Sequence, residues 1–155
     1  MILMYHKVAP TRPTQWWVGV DSFFRQLCEL RGYEVVALDD YQPENPKHCV
    51  ITFDGVYQNV LQYAAPLLKR FGYPFELFVT SDVLGKENEF DAGSGEPPAV
   101  FATEAELAEL VKCGGRLQWH TRSHPHLPEV KDSGRLEREL TVPDGLKSLD
   151  PRGFR

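Results

Sequence analysis

Two histidines four residues apart, in His120-Thr-Arg-Ser-His124, and an aspartate well upstream, in Thr52-Phe-Asp54-Gly-Val-Tyr57, are the residues of this chain that could do chemistry together. Imidazole nitrogens suit zinc and other borderline divalent ions, and a catalytic zinc typically keeps three protein ligands and one open position. A carboxylate within reach can act as general base toward a water. The combination is that of a candidate metallohydrolase. Each part also has a plainer explanation. A bare pair of histidines four apart arises by chance on surfaces, and an Asp-Gly ahead of a helix is a common turn and N-cap. His6, in Tyr5-His-Lys-Val, reads as a buried, hydrogen-bonded strand-end histidine in preference to a ligand, and His48 as solvent-facing. Glu104, Glu106, Glu137 and Glu139 read as solvated helix surface.

Strand and helix signals alternate in the segments that must position these groups. Ile2 to His6 reads as a strand, followed by a proline-broken loop through Thr14. Asp21 looks like an N-cap ahead of Phe23, Phe24, Leu27 and Leu30, a helical stripe that stops at Gly32. Glu34 to Leu38 and His48 to Phe53 read as strands, the second apolar enough to be buried on both faces. Val60, Leu61, Ala64, Leu67 and Leu68 repeat at helical spacing and end at Gly72. Phe75 to Thr80 is the next strand, and Asp82 to Ala102 a glycine- and proline-rich insertion. Thr103 and Glu106 form a capping box for a helix that ends at Gly114-Gly115. Arg116 to Trp119 is a strand that delivers His120, and Glu137 to Leu149 a last helix that Pro143 must interrupt or restart. Such alternation implies an α/β fold, a largely parallel sheet with helices outside it. Sites in these folds form beyond the carboxyl ends of the strands. His6, Asp54, Thr80 and His120 all fall there and should converge on one mouth.

The bulk properties narrow the partners. With 155 residues, 42% hydrophobic and 25% charged, residues 1–155 are expected to form one globular domain. A net charge of -5 argues against nucleic acid or an anionic membrane as partner. No apolar run is long enough to span a bilayer, and Met1-Ile-Leu-Met-Tyr5 lacks the features of a signal peptide, so a cytoplasmic location is expected. Three widely spaced cysteines, Cys28, Cys49 and Cys113, read as buried free thiols.

Taken together, the motifs resemble those of the polysaccharide deacetylases, the NodB-homology group of carbohydrate esterases. Tyr5-His-Lys-Val is similar to that family's opening strand. Val50-Ile-Thr-Phe-Asp54 resembles its first catalytic motif, usually Thr-Phe-Asp-Asp-Gly-Tyr, and His120-Thr-Arg-Ser-His124-Pro-His-Leu its metal-binding motif. The resemblance runs along almost the whole chain. It implies a distorted or incomplete (β/α) barrel and removal of acetyl groups from an acetylated amino sugar or polysaccharide. Asp54 would be the general base, and His120 and His124 would hold a divalent metal, zinc by preference.

Two departures from the family pattern set expectations of their own. Gly55 stands where the family motif has its second aspartate, the third metal ligand, so a weak site and impaired turnover are expected. His6 and His126 are candidate substitute ligands or cleft residues, and Trp16, Trp17 and Thr80 candidates for a substrate rim. The strands carrying the family's later motifs, including its general-acid histidine, are also not found. The sheet edge they would cover should then be covered or paired by other means, a second copy of the chain among them. A catalytically degenerate glycan-binding or scaffold protein is the alternative function, and a zinc-stabilised structural domain the weakest.

Overall fold

The computed structural model of the chain describes residues 1–89 and 93–154, so residues 90–92 of the expected insertion lie outside it. Strands β1 (Ile2–Tyr5), β2 (Lys7–Ala9) and β3 (Trp17–Gly19) precede helix α1 (Val20–Glu29). Then come β4 (Glu34–Val35), β5 (His48–Asp54), α2 (Ala65–Phe71), β6 (Phe75–Val79), α3 (Glu104–Lys112), β7 (Gly115–Trp119), α4 (Ser133–Leu140) and α5 (Asp144–Lys147). The main sheet runs β1-β5-β6-β7, with β4 added on β5, and every pairing in it is parallel. The fold is α/β, as expected, and among the described residues the strands do not close into a barrel.

β5 shows why the sheet is central. His48 to Phe53 are all buried, as a parallel strand covered on both faces requires. Phe23 and Leu27 of α1, Leu68 of α2, and Leu107 and Leu110 of α3 pack with Ile51, Phe53, Leu77 and Leu117 of the strands in the main core. α3 reaches β7 closely because residue 115 has no side chain. A Cβ at Gly115 would come within 2.8 Å of Leu77 and Phe75 and 2.9 Å of the Leu110 carbonyl. Glu76 is fully buried on β6 but satisfied, accepting from the Leu38 N–H at 2.8 Å and the Gln118 amide at 2.6 Å.

Several local expectations change. Gly19, not Asp21, is the N-cap of α1, and Asp21 lies in the first turn. The short pair β2-β3 lies where a loop was expected, because Val8 and Ala9 are buried and the Trp17–Gly19 backbone pairs with them. The strand from Glu34 shrinks to two residues and turns into a 3₁₀ helix at Leu38–Asp40. The stripe starting at Val60 opens with a π turn, Val60–Ala64, before α2, which closes at Gly72 in the left-handed conformation. The capping box of α3 forms, with Thr103 and Glu106 hydrogen-bonded reciprocally. The last helix is two, since Pro143 ends the region of α4 and caps α5. His48 is buried, not solvent-facing. Its Nδ1 accepts from the Gln42 N–H at 3.1 Å, and its Nε2 lies 3.3 Å from Glu34. All three cysteines are free. Among the described residues no helix is long and apolar enough to cross a membrane.

Candidate functional site

His6 follows β1, Asp54 ends β5, Thr80 follows β6 and His120 follows β7, and all four line one cavity of about 380 Å³ at the carboxyl ends of the strands. His124 and Trp16 line it as well. The volume lies within the usual range for a small-molecule site. The rings of His120 and His124 are 5.0 Å apart, and His6 meets Trp16 edge-on at 5.0 Å. Burial holds the His120 imidazole below its ordinary pKa, and its neighbours His124 and His6 push the same way against the opposing charge of Asp54. His120 is thereby biased toward the neutral form, the one that offers a nitrogen lone pair to a metal.

The turn that carries the two histidines is held from several sides. The Thr80 hydroxyl donates to the His120 carbonyl at 3.0 Å, and the His120 N–H donates to the Val79 carbonyl. Thr80, expected at the substrate rim, is thus a buried support whose hydroxyl already has a partner, although it also lines the cavity. Trp16 is exposed on the wall. Trp17 is buried, is not among the lining residues, and donates its indole N–H to Glu96 at 3.1 Å. His126 is likewise not among the lining residues; it is exposed and lies 3.1 Å from Glu129.

The remaining wall comes from residues the sequence did not single out for chemistry. Lys7 and Glu96 form a buried ion pair at 3.2 Å, with side chains 2% and 6% exposed. The Lys7 ammonium lies 4.4 Å over the Tyr57 ring, which stacks on Phe101 at 4.2 Å. Glu96 and Phe101 belong to the insertion between Asp82 and Ala102. The expected loop is therefore a wall of the cavity, joined to the body by the Tyr57–Phe101 bridge and by the Gln58 N–H, which donates to the Val100 carbonyl at 2.9 Å. A lysine one position after a strand and a glutamate in a Gly/Pro-rich loop carry no local signal of burial. Only their pairing across the fold permits it.

The donor set fits a divalent ion through the two imidazoles and stops there. Among the described residues no group of three or more His, Cys, Asp or Glu is arranged to hold a metal. Gly55 lines the cavity with no side-chain oxygen to offer.

Comparison with known proteins bears on the same stretch. The profile described as polysaccharide deacetylase matches residues 41–144. No curated protein sequence matches the chain significantly. Among solved structures, the fold is similar to IcaB from Ammonifex degensii, with TM-score 0.66 and 23% identity over 98% of this chain and 63% of that one. It is similar to the Streptococcus pyogenes deacetylase PplD, solved in complex with acetate, with TM-score 0.64 and 21% identity over 97% of this chain and 78% of that one. BC0361, a polysaccharide deacetylase from Bacillus cereus, aligns with TM-score 0.65 and 18% identity over 99% of this chain and 55% of that one. The chain thus spans 63% and 55% of the lengths of IcaB and BC0361.

Proposed function

Since the chain belongs to the polysaccharide deacetylase family, we propose that its cavity binds an acetylated amino sugar and hydrolyses the acetyl group, with turnover below that of a site with three metal ligands. The convergence of Asp54, His120 and His124 on one cavity supports the reading most directly. Asp54 takes a proton from the attacking water, the water oxygen bonds to the acetyl carbon, and the proton passes to the amine as the C–N bond breaks. His120 and His124 are the residues that would hold zinc. When bound, that ion supplies a Lewis acid that polarises the acetyl carbonyl. Trp16 on the rim offers an apolar face to the sugar ring.

A second reading, a glycan-binding domain without turnover, is favoured by Gly55 and by the incomplete donor set. Incubation with acetylated chitooligosaccharides, with and without added zinc, separates the two. The proposal expects acetate release that depends on zinc and vanishes in Asp54→Asn. Sugar binding by calorimetry with no acetate above the Asp54→Asn background selects the binding reading. Neither binding nor release removes both.

A further inference from the structure

We infer that Glu139 of α4 is a positioning residue for the His120/His124 pair, its buried carboxylate holding the turn that brings both imidazoles to the cavity. The sequence suggests helix surface at this position, yet Glu139 is 5% exposed. One carboxylate oxygen accepts the backbone N–H of Arg122 at 3.0 Å and of Ser123 at 2.9 Å. The other accepts the Ser123 hydroxyl at 2.7 Å. Its own carbonyl accepts the indole N–H of Trp119, the residue before His120, at 2.9 Å. A single residue therefore grips the segment on both sides of His120.

Two features indicate that helix stability does not account for this placement. An anion in the last turn of a helix faces the negative end of the macrodipole, which disfavours it. Burial also disfavours the charge, and the hydrogen bonds from Ser123 and Arg122, with Arg135 nearby, outweigh burial and keep the carboxyl below its ordinary pKa. The turn it holds is strained. Thr121 has φ 67° and His124 φ 57°, both left-handed without being glycine. Such residues are costly and persist only where the surroundings fix them. The His124 N–H donates to the Thr121 hydroxyl at 3.1 Å, and the Asp82 N–H to the Arg122 carbonyl at 2.8 Å. With Glu139, both backbone groups of Arg122 are then fixed, and the turn between the two histidines has little freedom left.

The inference rests on reading His120 and His124 as ligands, and its test keeps the two apart. Glu139→Ala removes the acceptor. In Glu139→Gln the amide oxygen can accept both N–H groups while its NH₂ donates to the Ser123 hydroxyl, so geometry survives and charge does not. On metal-stripped protein below its unfolding range, Glu139→Ala is expected to lower zinc affinity by about 10–100-fold, the usual loss when a ligand's support is removed. It should also speed amide exchange at Arg122 and Ser123 and remove the NMR contact between the two imidazole rings. Glu139→Gln should restore most of all three. Wild-type zinc affinity and an intact ring contact in Glu139→Ala, with only a lowered Tm, would make Glu139 a plain structural anchor. Should the alanine variant not fold, Glu139→Asp, which keeps the charge and shortens the reach, is expected to lose the same contacts. Wild-type behaviour there overturns the inference. If wild type itself takes up no zinc, the metal reading falls, and the ring contact and amide exchange still decide the role of Glu139.

Discussion

Gly55 lies in the left-handed region, φ 61°, and lines the cavity at the position where the family motif carries its second aspartate. A Cβ built there would sit 3.2 Å from the Phe101 ring edge and 3.5 Å from Tyr57, so any side chain must displace Phe101 by a few tenths of an ångström. The backbone strain for a residue with a Cβ is about 1–2 kcal/mol, and aspartate is among the few types that visit this region readily. Gly55→Asp and Gly55→Ala should therefore both lower Tm, by roughly 2–4 °C per kcal/mol at this chain length. Only aspartate adds a carboxylate beside the two imidazoles, so only it should raise zinc affinity, by at least about tenfold. Calorimetric titration of both variants checks this. Equal zinc affinity in the two would mean that position 55 does not face the ion, and the reading of the site as one ligand short would be wrong.

At the level of elements, the sequence shows best what local pattern encodes. The apolar run of β5, the capping box of α3 and the strand that delivers His120 all lie in short windows with a clear period or cap, and all form. The supports of the site lie outside any such window: Glu139 acts on residues 16 and 17 positions away, and Lys7 on one 89 away. Charged types at helical or loop positions default to solvent, and nothing local reports the partner that permits burial. The edge of β7 is a further case. The sequence predicts an edge that must be covered or paired by other means, and the chain's own Asp150 carboxylate accepts the Leu117 N–H at 3.0 Å, while Arg152 donates to the Gly115 carbonyl and bonds Asp150. Burial pushes the Asp150 pKa up, but the Arg152 and Leu117 hydrogen bonds outweigh it and hold the group below its ordinary value. A depressed pKa contributes stability that is present above the unfolded value of about 3.9 and is lost as pH falls through the folded one. Asp150→Asn is thus expected to cost about 1.5–3 kcal/mol near pH 7. The gap to wild type should close in unfolding curves taken progressively below pH 4. A gap that stays constant with pH would mean that the carboxylate charge contributes nothing at this edge.

Across the whole molecule, the ion pair of Lys7 and Glu96 ties the β2-β3 pair to the insertion and forms part of the cavity wall. The two partners are not equally provided for. Glu96 also accepts from the Thr14 hydroxyl and the Trp17 indole, whereas Lys7 otherwise faces the rings of Tyr57 and Trp17 at 4.4 and 5.3 Å. Removing one member of a buried pair strands the other and typically costs about 3–5 kcal/mol, while replacing both with apolar groups is often close to neutral. Glu96→Ala, which strands an ammonium over ring faces, should fall at the high end of that range. Lys7→Met should cost less, because two donors still serve the carboxylate it leaves behind. The double variant Lys7→Met/Glu96→Ala should be more stable than Glu96→Ala alone. A thermal-unfolding double-mutant cycle reads this directly, since residues in contact depart from additivity by about 0.5–3 kcal/mol. Strictly additive losses would show that the pair is not coupled, and the cavity wall would then owe its position to the Tyr57–Phe101 stack and the backbone hydrogen bonds of Gln58 and Val56 to the insertion.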